Sequence, residues 1–229
     1  MSDVPRRSFG VVAAIGIAAI ATSCSIQTSQ LVPPAASLPP KVVFQPDDPP
    51  ADPPAHIAEH NRHVYVVGDS VLLGTVDTLP QAMRPWKVTM NCKGSRRLPQ
   101  ALEVLRHHRH RVGFGSVVVI QMGNNYIAGE DGTFTHQINQ AMHVMRGVPL
   151  VVWVTVAKVS SSRRQIDHEI IASAKRYPQI RIANWAPIAA RHPNYAYSDG
   201  IHLTTSGRIR MSKLIAHVVG PPPRRKARG

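Results

Sequence analysis

Acidic residues and cysteines are both scarce in this chain, and each scarcity narrows its chemistry. Only 13 of the 229 residues are Asp or Glu, against 27 Lys or Arg, which leaves a formal net charge of +14. So basic a chain favours anionic partners: nucleic acid, anionic lipid or a phosphate-rich cell envelope. With only two cysteines, Cys24 and Cys92, there is no disulfide framework. Aromatics are just 5% of the residues, and no recognised nucleic-acid motif accompanies them, which argues against a nucleic-acid-binding module. No Gly-rich phosphate loop is present, and no set of His, Cys, Asp and Glu has metal-ligand spacing, so neither a cofactor nor a metal is expected.

The first sixty residues read as appendages. Arg6-Arg7 precede an uncharged stretch, 9–22, made mostly of Val, Ala, Ile and Gly. A basic start, a short apolar centre and small residues ahead of a cut site describe an export signal over 1–23. The apolar run has 14 residues, short of the ~18 that a membrane span needs. Arg6-Arg7-Ser8-Phe9 faintly resembles a twin-arginine signal. Ile20-Ala21-Thr22-Ser23-Cys24 resembles a bacterial lipobox, with Ala21 where leucine is usual, and makes Cys24 the expected lipidation site. Simple cleavage nearby and an uncleaved anchor stay open. If Cys24 is not lipidated, a Cys24–Cys92 bridge is open in an oxidising compartment; otherwise Cys92 is a lone thiol, read as a small buried hydrophobe. From 24 to 60 the chain reads as a Pro-rich linker, with nine prolines between Pro33 and Pro54, extended and unable to build a core. At the other end, 220–229 reads as a basic, disordered tail able to touch anionic envelope polymers.

Between these lies one expected domain, 61–219. Apolar runs at 64–67, 87–92, 116–122, 149–156 and 180–184 read as five strands. Helices are expected at 71–83, on the Leu98, Leu102, Leu105 face, on the Phe134, Ile138, Met142 face, on the Ile166, Ile170, Ala174 face, and on the Met211, Leu214, Ile215 face, the last capped by Thr204 or Thr205. Strands alternating with helices imply an α/β domain with a parallel sheet covered on both faces. The run 106–111 of Arg and His reads as solvated cations at a helix end, and His143 and His168 as surface residues.

Two stretches carry chemistry. Val64-Tyr65-Val66-Val67-Gly68-Asp69-Ser70 puts a serine at the carboxyl end of a strand, where open α/β sheets place their chemistry. Asp199-Gly200-Ile201-His202 puts a carboxylate and an imidazole three residues apart. A serine needs a base, and the base an orienting carboxylate. The first stretch is neither a dinucleotide fingerprint nor a G-x-S-x-G elbow, because Leu72 takes the second glycine position. The pair resembles blocks I and V of the SGNH (GDSL-type) hydrolases. Gly94, in Asn91-Cys92-Lys93-Gly94-Ser95-Arg96, matches the second-block glycine, and Asn125, in Gly123-Asn124-Asn125, the third-block asparagine. Tyr126 stands where many members have Asp. The wording from Trp185 to Gly207 is most like the SGNH domains attached to bacterial membrane acyltransferases.

That resemblance implies a three-layer α/β/α, flavodoxin-like fold with a five-stranded parallel sheet. It also implies Ser70 as nucleophile, His202 as base and Asp199 as its orienter, with Ser70, Gly94 and Asn125 as oxyanion donors. Asp69 is expected to brace the turn. The expected function is an exported serine esterase acting through an acyl-serine on short-chain esters, acetyl among them, of small molecules or envelope glycans. Two alternatives stay open: O-acyl transfer to a sugar hydroxyl, and a non-catalytic, basic envelope-binding lipoprotein on a degenerate scaffold. Hydrolysis is the first expectation because no membrane acyltransferase segment is present in these residues to supply acyl groups. The expected place is the cell envelope, lipid-anchored, or the exterior. The expected partners are the acyl ester and anionic envelope polymers. Membrane contact is expected only through a lipid anchor, and nucleic acid is not an expected partner.

Overall fold

A computed structural model of the chain describes residues 41–44, 48, 51, 62–111, 113–157 and 160–222. The expected signal 1–23, Cys24, most of the linker 24–60 and residues 223–229 of the tail lie outside the described residues.

Among the described residues, six strands form one sheet: β1 (Val43–Phe44), β2 (His63–Gly68), β3 (Lys87–Cys92), β4 (Val117–Gln121), β5 (Leu150–Val154) and β6 (Ile180–Ala183). They lie in the order β1-β6-β5-β4-β2-β3, every neighbouring pair parallel. Without β1 this is the flavodoxin-like order, in which the second strand flanks the first on one side and the third on the other. That reversal falls at β2, which ends at Gly68, two residues before Ser70. β4 and β5 are buried at every position and apolar at nearly all, as strands covered on both faces must be.

The sixth strand corrects the expectation of five. It comes from the segment read as linker. Val42-Val43-Phe44 is a short apolar run between Pro40 and Pro46, and an edge strand tolerates prolines at its ends because no neighbour needs their missing donors. Ile182 N–H donates to the Val42 carbonyl at 2.6 Å and Asn184 N–H to the Phe44 carbonyl at 3.2 Å. Phe44 is 6% exposed, with the Arg181 guanidinium 6.0 Å above its ring.

Helices cover both faces. On one side lie α1 (Ser70–Leu73), α2 (Thr78–Ala82) and α7 (Thr205–Val219). There Val64 and Val66 of β2 share a core with Leu72, Leu79, Met211 and Leu214. On the other lie α3 (Leu98–Arg111), α4 (Phe134–Val144) and α5 (Ser161–Arg176), where Tyr65 and Val67 share a core with Leu102, Leu105, Ile138 and Ile170. α6 (Ala186–Arg191), which follows β6, was not expected from the sequence. The single helix expected over 71–83 is broken in two. After Leu73 come Gly74, a poor helix former, and Thr75, whose hydroxyl donates to the Leu72 carbonyl at 2.7 Å and competes with the helical ladder. The 106–111 cations close α3 where the dipole favours them, but not all of them are merely solvated. His108 stacks on Tyr65 with ring centroids 3.5 Å apart, and Arg109 donates to the Val144 and Arg146 carbonyls.

If β1 is part of the packed sheet, Phe44→Ala lowers the unfolding free energy by about 2–4 kcal/mol, the usual size for emptying a buried aromatic or aliphatic site. Urea unfolding measures this, and an unchanged midpoint would mean that residue 44 lies in a free spacer.

Candidate active site

β2 ends at Gly68 because the chain must turn sharply there. A Cβ on Gly68 would lie 2.6 Å from the Leu72 Cβ, so only glycine lets α1 fold back against the strand. Asp69 follows, with no exposed surface, and caps α1 by accepting the Val71 N–H at 2.9 Å. Its other oxygen accepts the Asn124 side-chain amide at 3.0 Å. Burial pushes the Asp69 carboxyl above its ordinary pKa, and these two donors pull it back down. Asp69 thus ties the Ser70 turn to the loop after β4.

From across the C-terminal edge of the sheet comes the loop before α7. Ala196 and Leu203 form an antiparallel bridge that closes it, and Tyr197 N–H donates to the His202 carbonyl at 2.8 Å. Gly200 turns the loop with φ at +68°, in the left-handed region that favours glycine. Thr204, rather than Thr205, caps α7 by accepting the Gly207 N–H at 3.3 Å. The first turn of α7 lies against this loop so closely that a Cβ on Gly207 would sit 1.9 Å from the Tyr195 carbonyl oxygen.

Ser70, His202 and Asp199 meet in line. His202 Nε2 lies 3.0 Å from Ser70 Oγ, and His202 Nδ1 lies 2.6 Å from Asp199 Oδ2. Asp199 Oδ1 accepts the N–H groups of Ile201 at 2.8 Å and His202 at 2.9 Å. The His202 contact first, and then the Ile201 N–H, hold the Asp199 carboxyl down at about 2. An ionised Asp199 keeps the proton of His202 on Nδ1 and leaves Nε2 as the acceptor facing Ser70. The side chains of His202 and Asp199 are 50% and 44% exposed, so the line opens onto solvent.

Gly94 follows β3 and Asn125 follows β4, each on its own loop at the C-terminal edge of the sheet. The Asn125 amide donates to the Arg96 carbonyl at 3.2 Å. A Cβ on Gly94 would meet no atom within 4 Å, so open space lies beside its backbone. The left-handed residue of this loop is Ser95, with φ at +53°. Tyr126 braces the loop it heads. Its hydroxyl donates to the Gly132 carbonyl at 2.8 Å, and its ring meets Phe134 edge-on at 5.6 Å. Sequence reasoning missed Asn124, Arg96 and Arg163. Arg163, in the first turn of α5, donates to the Asn124 carbonyl at 2.7 Å. Beside the Asp199 loop lies an apolar recess of about 370 Å³ lined by Ala157, Ala189, Pro193, Ala196 and Tyr197. Cys92 lies between the layers, and burial pushes its thiol up to about 12, which leaves it protonated and a poor nucleophile. No group of His, Cys, Asp or Glu among the described residues is arranged to hold a metal ion.

No protein-family model matches the chain. It is 26% identical over 163 residues to YrhL of Bacillus subtilis, provisionally named a peptidoglycan O-acetyltransferase. The match covers 71% of this chain and 24% of that protein, so the chain spans about a quarter of its relative's length. The C-terminal catalytic domain of the peptidoglycan O-acetyltransferase OatA of Streptococcus pneumoniae superposes with a TM-score of 0.59 at 20% identity, over 69% of this chain and 92% of that domain. A GDSL-like lipase of Bacteroides thetaiotaomicron superposes with a TM-score of 0.57 at 20% identity, over 72% and 91%. The fold is that of the SGNH hydrolases. The segments 68–70, 94–96 and 123–125 all follow the carboxyl ends of parallel strands, and the His202–Ser70 contact brings 199–202 to the same edge.

The low pKa of Asp199 depends on His202. In a ¹³C titration Asp199 is expected to titrate at about 2 in the native chain and to move back toward the ordinary 3.8 in His202→Ala. Because the folded value is depressed, the stabilisation it brings is present above the ordinary carboxylate range and is lost as pH falls toward 2. A value unmoved by His202→Ala would break the pairing.

Proposed function

We propose that this chain is an SGNH-type serine esterase that removes short acyl groups, acetyl foremost, from hydroxyls of a cell-envelope glycan. The observation that carries it is the unbroken line of hydrogen bonds from Ser70 through His202 to Asp199.

In the reaction, Ser70 Oγ attacks the ester carbonyl carbon while His202 Nε2 takes the hydroxyl proton. Asp199 stabilises the imidazolium that forms. The carbonyl oxygen becomes an oxyanion, met by the backbone N–H groups of Ser70 and Gly94 and the amide of Asn125. The C–O bond to the glycan breaks, and His202 hands its proton to the departing oxygen. The acyl group is then on Ser70. Water, deprotonated by His202, attacks this acyl-serine and releases the carboxylic acid with Ser70 restored. If a sugar hydroxyl takes the place of water, the same steps transfer the acyl group instead. The relatives named as O-acetyltransferases favour this second reading.

A glycan substrate fits the open site, because a half-exposed His202 and Asp199 leave room for a polymer that a closed pocket would refuse. The names of the relatives point the same way, and the +14 charge suits an anionic envelope. Export through 1–23 with lipid on Cys24 would bring the enzyme to that substrate. Intact-mass analysis of the protein from fractionated cells checks the location, and an unprocessed chain confined to the cytosol would contradict it.

Ser70→Ala is expected to fold as the native chain does, take up no fluorophosphonate probe and lose nitrophenyl acetate hydrolysis to background. His202→Ala should lose it to a similar extent, and Asp199→Ala less, since orientation matters less than the base itself. Native-level hydrolysis by Ser70→Ala would refute the assignment.

A further inference from the structure

Arg96 belongs to none of the expected catalytic roles, yet its side chain makes three hydrogen bonds around the Ser70 turn. It is 6% exposed. A guanidinium that deep costs several kcal/mol of lost hydration unless its donors are matched by acceptors. Here they are. Nη1 donates to the Gly68 carbonyl at 3.3 Å and to the Asn91 carbonyl, and Nη2 donates to Asn91 Oδ1 at 2.8 Å. The backbone carbonyl of Arg96 in turn accepts the Asn125 amide at 3.2 Å.

These contacts join three separate segments. Gly68 ends β2, two residues before Ser70. Asn91 belongs to β3, the edge strand. Asn125 stands on the loop after β4. β2 pairs directly with β4, Gly68 opposite Gln121, and Asn124 is held on Asp69, but neither contact reaches the Asn125 side-chain amide, whose partner is the Arg96 carbonyl. Arg96 holds the Ser70 turn with its side chain and Asn125 with its main chain. The planar fork suits the task, because it presents several donors at fixed angles where a lysine presents one point charge.

We propose that Arg96 is a positioning residue that sets the separation between the nucleophile Ser70 and the oxyanion donor Asn125. This rests on the catalytic reading given above. An oxyanion donor works only when it lies about 2.7–3.1 Å from where the charge develops. A small change in that separation therefore weakens transition-state binding more than ground-state binding.

A double-mutant cycle on the full chain with nitrophenyl acetate tests it. Arg96→Gln is expected to lower kcat about 10- to 100-fold with KM changed less than about threefold, and Asn125→Ala to lower kcat about 10²- to 10³-fold. If Arg96 acts by setting the distance to Asn125, that distance no longer matters once the donor is gone. Adding Arg96→Gln to Asn125→Ala then costs at most about threefold more. Arg96→Lys should recover only part of the loss. Losses that multiply across the cycle, or a kcat unchanged in Arg96→Gln, overturn the proposal. If Arg96→Gln does not fold, Asn91→Ala serves in its place, since it removes one acceptor and leaves the guanidinium on Gly68. It should cost several-fold in the native background and nothing in Asn125→Ala, and equal losses in both overturn the proposal. A parallel Ser70→Ala assay separates the two levels. An active Ser70→Ala sinks the catalytic reading itself, whereas an inactive one with a multiplicative cycle sinks only the role of Arg96.

Discussion

A carboxylate with no exposed surface governs this site. Asp69 cannot reach water, so its oxygens must find partners inside the protein. The Val71 N–H and the Asn124 amide meet them, and the Arg163 guanidinium holds Asn124 from behind. Satisfying Asp69 therefore forces the Ser70 turn and the Asn124-Asn125 loop into one arrangement. A chain in which either loop drifted would leave a buried donor or acceptor unpaired, at about 1–3 kcal/mol each. Ser70 is placed by the need to satisfy its buried neighbour.

The sheet supplies the rest. The strand order reverses at β2, so the connections on its two sides diverge and leave a crevice at its carboxyl end. The loops carrying Gly94 and Asn125 leave the sheet at that end, and His202 reaches it through Ser70. Buried β4 and β5 give a stiff base, while the working groups of the last loop stay half-exposed. Stability and chemistry are thereby separated. The core strands carry packing, and the loops at one edge carry the Ser70–His202–Asp199 hydrogen bonds.

Much of this was legible in the sequence. The central strands announce themselves as β-branched runs, since burial on both faces leaves no place for polar residues; the half-exposed edge strand Lys87–Cys92 was also found with its bounds intact. Ser70, Asp199 and His202 were legible because their spacing and flanks resemble a known pattern, and the structure brings them within hydrogen-bond reach. β1 was hidden because two paired residues give no periodicity and the surrounding prolines dominate the composition. The break at Gly74 was hidden because Leu72, Leu73 and Leu79 keep a helical pattern across it. Arg96 and Asn124 were hidden for a different reason. Their importance lies in which distant groups they touch, the Gly68 carbonyl and the Asp69 carboxyl, and no local pattern carries that information.

The central claim is that an acyl group passes through Ser70. Mixing the chain with an excess of an activated acetyl ester, quenching in acid within the first turnover and mapping the peptides by mass spectrometry tests it directly. The account predicts a single added acetyl group on the peptide containing Ser70, formed at a rate no slower than turnover and absent in Ser70→Ala. Rapid hydrolysis with no acetyl on that peptide, or acetyl accumulating on another residue, would contradict it.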